Sequence, residues 1–161
     1  MSRLTQIADD QAVRLRDTER RLAEVEARGH SGLLAAPATL SSDSSDTSGT
    51  TELDLGLDRT VVITTGRRIR LEFNCRNLLG TVQQDLFEIR FKENGTQVAA
   101  FRGQVHEVTA HIDPHTCRHV YVPTSGTRTF EVFLVRVVGT GVAHIVAGAT
   151  FPATFTVEDV A

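Results

Sequence analysis

The stretch Thr129–Val138, TFEVFLVRVV, decides the fold of this 161-residue chain. Side chains of an extended segment alternate between two faces, so Phe130, Val132 and Leu134 point one way and Phe133, Val135 and Val137 the other. Both sets are large and apolar, whereas a strand with one wet face alternates apolar with polar residues. The segment therefore reads as a strand buried on both sides. One side belongs to the domain's own core. The other, carrying Phe133, Val135 and Val137, is expected either beneath a second covering segment or, as the preferred reading, at an interface between copies of the chain.

Outward from this strand the period of 2 continues over residues 51–161, and no helical stripe interrupts it. Strands are expected at 51–55, 60–64, 68–74, 85–92, 96–102, 105–112, 119–122, 129–138, 142–148 and 151–157. Asn94-Gly95 suits a two-residue type I′ turn, whose register sets Phe91 against Val98 and Ile89 against Ala100. Gly139-Thr140-Gly141 is expected to close a second hairpin onto VAHIVAG. Pro152 places the start of the last strand at an edge or bulge. So many short strands with turn residues between them predict a mainly β protein, with an antiparallel jelly-roll or β-sandwich head over 51–161.

Residues 1–28 contain no Gly or Pro and read as one α-helix. With Met1 at heptad position a, Ala8, Leu15 and Leu22 follow at a, and Leu4, Gln11, Thr18 and Val25 stand at d. The same frame puts Arg14 and Arg21 at g with Glu19 and Glu26 at the following e, where parallel chains form ion pairs. A coiled-coil stalk is expected, with Leu4, Ala8, Gln11, Leu15, Thr18, Leu22 and Val25 at its interface. Gln11 and Thr18 make that seam weak, so association needs support from the head. Gly29 caps the helix, and 29–50, rich in Ser, Thr, Ala and Gly, reads as a linker in which Leu33, Leu34 and Leu40 are candidates for docking.

The formal net charge of -3 gives no reason to expect nucleic-acid binding. No run reaches the roughly 18 apolar residues of a membrane span, and Asp9, Asp10 and Arg14 stand where a signal peptide needs an apolar core. Cys75 and Cys117 are too few for a disulfide framework and suit a reducing cytoplasm, as thiols.

Chemistry is sparse. His106, His111, His115, Cys117 and His119 lie close in sequence, and in an extended chain His115, Cys117 and His119 project from one face, a spacing open to a zinc ion. Pro114 and the lack of a CxxC or HxxxH frame favour ordinary loop and strand positions, so no metal or cofactor is expected. Gly-x-Ser-x-Gly is absent, and the Gly139-Thr140-Gly141 turn opens no helix that could hold phosphate. Glu158-Asp159 reads as solvated, His144 as a satisfied or interface histidine, and Arg68 and Arg70, alternating with Ile69 and Leu71, as the solvent face of a strand. The chain is expected not to be an enzyme.

The segments GRRIRLEFNC, DLFEIRFKENGTQVAAF and GTRTFEVFLVRVVGTGVAHIVAGATFPATFTVEDVA, within residues 57–161, resemble a family of small structural proteins of tailed bacteriophages infecting actinobacteria, described as minor tail or head-fibre proteins. A strand–GTG–strand element, an AGAT-F-P-A stretch and a VEDI-like ending recur there. The resemblance implies a virion component, assembled in the host cytoplasm, with a jelly-roll head similar to tumour-necrosis-factor-like trimers. It implies a homotrimer whose partners are other capsid or tail proteins, with a host-surface glycan as a further candidate, and no catalytic residues. The rival readings are a carbohydrate-binding module, against which the absence of Trp and the single Tyr121 count, and a cellular trimeric adhesion module of the same fold.

Overall fold

The computed structural model describes residues 32–47, 49–105, 111–112 and 115–160. Gly32–Val160 form one compact unit, and its described residues make thirteen strands, all pairing antiparallel, and no helix. This corrects the expected fold class of a mainly β head behind an α-helical coiled-coil stalk: the described chain is all-β. The helix expected over 1–28, and with it Leu4, Ala8, Gln11, Leu15, Thr18, Leu22 and Val25, lies outside the described residues.

Two five-stranded sheets face each other. In the first, β1 (Gly32–Leu33) and β2 (Ala38–Leu40) pair with β13 (Ala153–Val160), followed by β5 (Arg68–Cys75) and β10 (His115–Tyr121). In the second, β3 (Leu53–Asp54) and β4 (Arg59–Ile63) pair with β11 (Gly126–Val138), followed by β7 (Leu86–Glu93) and β8 (Thr96–Gln104). A small third sheet, β12 (Ala143–Val146), β6 (Asn77–Gly80) and β9 (His111–Ile112), completes the pairing. With β1–β2 and β3–β4 each counted as one broken strand, the sheets run in the winding of a jelly roll.

The core lies between the two large sheets. Ile69, Leu71 and Phe73 of β5 and Phe155 and Val157 of β13 meet Phe91 of β7 and Phe130, Val132 and Leu134 of β11, all 0 % exposed. Phe91 packs on Phe155 across the sheets with ring centres 5.6 Å apart, and on Phe101 of the neighbouring strand at 5.2 Å. On β5 the expected alternation is met: Ile69 and Leu71 point inward, Arg70 is half-buried and Arg68 exposed.

Asn94 and Gly95 turn the β7–β8 hairpin with positive φ of 48° and 77°, as a type I′ turn requires. The register, however, pairs Phe91 with Ala99 and Ile89 with Phe101, one residue beyond the expected partners. A bulge is the cause: Lys92 pairs with Gln97 and Phe91 with Ala99, so Val98 is the extra residue.

The second expected hairpin does not form. After Gly141 the chain leaves β11, and β12 pairs with β6 instead. Gly139-Thr140-Gly141 wraps the buried Asp85, whose Oδ2 accepts hydrogen bonds from the Thr140 and Gly141 amides at 3.0 and 2.5 Å. Gly139 has φ +106°, and a Cβ there would meet Asp85 Oδ1 at 1.7 Å.

Residues 32–47, within the segment expected as a linker, pack along the sandwich through the pairing of β1 and β2 with β13. Ala38, 2 % exposed, belongs to the core. Beyond β2 the polar run 43–47 lies along β12 and completes its pairing with side chains. Ala143, Ile145 and Ala147 donate their amides to Thr47 Oγ1, Ser44 Oγ and Asp43 Oδ1, each at 2.9 Å. The amides of Ser44 and Thr47 donate in return to the carbonyls of Ile145 and Ala143. Asp46 Oδ1 meets His144 Nδ1 at 2.9 Å, which places His144 as a satisfied histidine. Arg59 fastens the strap from the other sheet through the carbonyls of Ala36 and Pro37, at 2.6 and 2.7 Å.

Candidate functional site

The outer face of β11 carries the residues expected at an interface. Directly paired residues of an antiparallel ladder share a face. The register therefore sets Phe133 beside Arg90 and Asp54, Val135 beside Glu88, and Glu131 beside Lys92. Arg102 of β8 stands next to Glu88 on the far side.

These charges join into a layer over the apolar strand. Glu88 Oε2 accepts from Arg90 Nε and Nη2 at 2.9 and 2.7 Å, and Oε1 from Arg102 Nε and Nη2 at 3.1 and 2.6 Å. Glu52 links Arg90, at 3.0 Å, to Lys92. The Lys92 ammonium lies 4.3 Å from the centre of the Phe133 ring. Such a cation–π contact leaves the amine charged while its stem covers apolar surface. Val135 is 1 % exposed. Of the residues expected at a contact between copies, Val135 is thus covered by its own chain, while Phe133 and Val137 are half-buried.

Charge pairing sets the protonation of this layer. Hydrogen bonding from Lys92 holds the Glu52 carboxyl below its ordinary value, against the opposing effect of burial. At Glu88 burial pulls upward, but the bonds from Arg102 and Arg90 outweigh it and the carboxyl stays below the usual range. The Arg90 guanidinium is raised, chiefly by its bonds to Glu88 and then Glu52. A comparable ladder covers the first sheet, where Glu72 receives Arg118 Nε at 2.7 Å and Arg70 pairs with Glu158. Asp159, expected in solvent, is buried and meets Arg67 at 3.1 Å.

The histidine–cysteine candidates fall on the edge strand β10. His115, Cys117 and His119 alternate along it as expected, opposite Cys75, Phe73 and Leu71 of β5. Cys117 points into the core at 4 % exposure, where burial and then the neighbouring Cys75 push its thiol up to about 12. His119 stacks on Tyr121, ring centres 5.1 Å apart. The Tyr121 hydroxyl donates to Glu93 Oε2 at 2.9 Å, and burial followed by that bond raises its pKa. Among the described residues no group of three or more His, Cys, Asp and Glu side chains converges as a metal site. A thiol held protonated against an apolar wall is a poor ligand for zinc.

Three features escaped sequence reasoning: the Asp85 cradle, the strap along β12 and the charged layer on β11. The polar run S-D-S-S-D-T over 42–47 is the one sequence signal of these, since its Asp43, Ser44 and Thr47 accept from the amides of Ala147, Ile145 and Ala143.

No protein-family model and no curated protein matches the chain. Among solved structures, dimeric latent PorU from Porphyromonas gingivalis is similar over 80 % of this chain at 10 % identity, with a TM-score of 0.40. The chain spans 14 % of that protein's length.

Proposed function

We propose that the chain is a structural, non-catalytic component of a tailed-phage virion, a homotrimer presenting a jelly-roll head from the capsid or tail surface. The supporting observation is the use made of the motifs that resemble phage fibre proteins. GTG cradles the buried Asp85, and ATFTVED runs within β13 through the middle of the first sheet. The charged residues of FEIRFKE are taken up in pairs within the chain: Glu88 with Arg90 and Arg102, Lys92 with Glu52 over the Phe133 ring, and Glu93 with Arg128 and Tyr121. Residues with catalytic chemistry are thus taken up in holding the scaffold. Phe133 and Val137 are assigned to the contact between copies.

Sedimentation velocity of the intact chain at micromolar concentration, with mass spectrometry of purified particles of the encoding phage, tests this. A trimer that Phe133→Asp converts to folded monomers, and recovery of the chain from particles, are expected. A monomeric wild type overturns the trimer, and absence from particles overturns the virion assignment.

A further inference from the structure

The sequence holds three asparagines, and Asn94 alone is followed by glycine; Asn74 precedes Cys75 and Asn77 precedes Leu78. An asparagine loses its amide when the main-chain nitrogen of the next residue, having given its proton to water or hydroxide, attacks the side-chain carbonyl carbon. A bond forms from that nitrogen to Cγ, the Cγ–Nδ2 bond breaks, and ammonia leaves. Water then opens the five-membered succinimide at one or other carbonyl, to aspartate or to its β-linked isomer. Glycine has no side chain to hinder the attack, and both residues of this turn are exposed.

The fold holds the reacting atoms apart. Ring closure needs the Gly95 nitrogen to eclipse the Asn94 Cβ about the Cα–C bond. In a type I′ turn, with φ of 48° and 77°, that nitrogen stands almost opposite Cβ. Turning over the single peptide unit between Asn94 and Gly95 converts the turn to type II′, which also fits a hairpin and brings the nitrogen round to the side chain. Bonds to β11 oppose that rotation. The Gly95 N–H donates to Glu131 Oε2 at 2.9 Å, so the peptide cannot turn over without giving up a carboxylate acceptor. Asn94 Oδ1 accepts from the Thr129 amide at 2.8 Å, and the Asn94 amide donates to the Thr129 carbonyl at 2.8 Å, which together fix the side chain and its main chain. The Glu131 charge acts in the same sense, since an amide nitrogen gives up its proton less readily beside an anion.

We propose that Asn94 is a site of spontaneous deamidation, and that Glu131 is the latch that keeps it unreacted while the tip of the β7–β8 hairpin is closed. Opening of the tip starts the reaction, and the product cannot return. The β-linked isomer adds a carbon to the main chain, so the turn no longer matches the spacing that sets Glu93 opposite Thr96. A chain that has once opened here stays marked. The inference is independent of the virion assignment.

Peptide mapping by mass spectrometry follows the conversion of Asn94 in the intact chain during prolonged incubation at mildly alkaline pH, with the urea-denatured chain as reference. Conversion at least about tenfold slower in the folded chain is expected, because the bonds to β11 must open first. Glu131→Ala should speed the folded chain by about tenfold, and Glu131→Gln, whose carbonyl still accepts from Gly95, by less. Hydrogen exchange at Phe73 and Leu134 should match the wild type, which separates release of the latch from unfolding. If the Ala variant unfolds, Glu131→Val, which keeps a strand former on β11 and also removes the acceptor, must give the same acceleration. Equal rates in the folded and denatured wild type, or a folded Glu131→Ala chain no faster than the wild type, overturn the proposal. A slower variant overturns it as well, by making Glu131 the base that activates Gly95.

Discussion

The ammonium of Lys92 sits over the ring of Phe133, 4.3 Å from its centre, and is at the same time paired with Glu52. Lys92 is the only lysine in the sequence and its side chain is 15 % exposed. Acylation by an amine reagent should therefore modify Lys92 at least about tenfold more slowly in the folded chain than in the denatured one, because the side chain must first leave its ion pair and its cover. Peptide mapping of the time course with and without denaturant checks this; equal rates in the two states would show that the contact does not persist in solution.

Acid should loosen the same layer. Glu52 and Glu88, and Glu72 on the other sheet, are held below the ordinary value of 4.5 when folded. A carboxylate whose pKa is lowered by folding adds stability that is complete above its unfolded pKa and is lost as pH falls through the folded one. Urea midpoints should be flat from neutrality to about pH 5 and decline below it. Glu88→Gln should flatten that decline and cost about 2 kcal/mol at neutral pH, since Glu88 accepts two arginines while only 9 % exposed at its side chain.

The Asp85 cradle tolerates no side chain at Gly139. A methyl group there clashes with the carboxylate at a φ of +106°, which L-residues avoid. Gly139→Ala is expected to lose roughly 3 kcal/mol or more. Asp85→Ala should lose about 2 to 4 kcal/mol by leaving the Thr140 and Gly141 amides without their acceptor. The double variant should cost less than the sum, because removing the carboxylate relieves the clash. Strict additivity in chemical denaturation would argue against the contact.

The strap should come away before the sandwich does. Thr47→Ala, Ser44→Ala and Asp43→Ala remove the acceptors of the Ala143 and Ile145 amides of β12 and of the Ala147 amide just beyond it, at about 1 kcal/mol apiece. The triple variant should be cut by proteases within 41–50 under conditions where the wild type resists. Hydrogen exchange at Ala143, Ile145 and Ala147 should rise while the exchange of Phe73 and Leu134 stays unchanged. Simultaneous acceleration at all five amides would mean that strap and core open as one unit.

Where the apolar period is strict, the sequence was legible. Phe130, Val132 and Leu134 face the core as the alternation demands, and Asn94-Gly95 turns where turn chemistry requires. The jelly-roll winding follows from these strands. The β7–β8 register missed by one residue because the bulge at Val98 has no marker in composition. β6 was missed because NLLG is short and ends in a glycine, and β12 was given to the wrong neighbour because Gly139-Thr140-Gly141 looks like a hairpin turn. Its real task depends on Asp85, far away in sequence. The strap reads as coil because its ladder is completed by side chains, which propensity does not count. The second apolar face of β11 reads first as a contact between copies: Glu88, Arg90 and Lys92 are visible as a charged run, but only strand pairing lays them across Phe133 and Val135 within the chain.

The antiparallel pairing of β1 with β13, with Gly32 opposite Asp159, fixes how the head yields when pulled through its N-terminal side. Tension entering at Gly32 loads the β1 bonds one after another, as a zipper opens, rather than all together in shear. Yielding would pass from β1 through β2 to the bonds along β12 before reaching β3 and the second sheet. Residues 32–47 would thereby pay out roughly 50 Å of chain while the sandwich stayed closed. The strap is in this sense a shock absorber, lengthening under sudden load and able to re-dock when the load is removed.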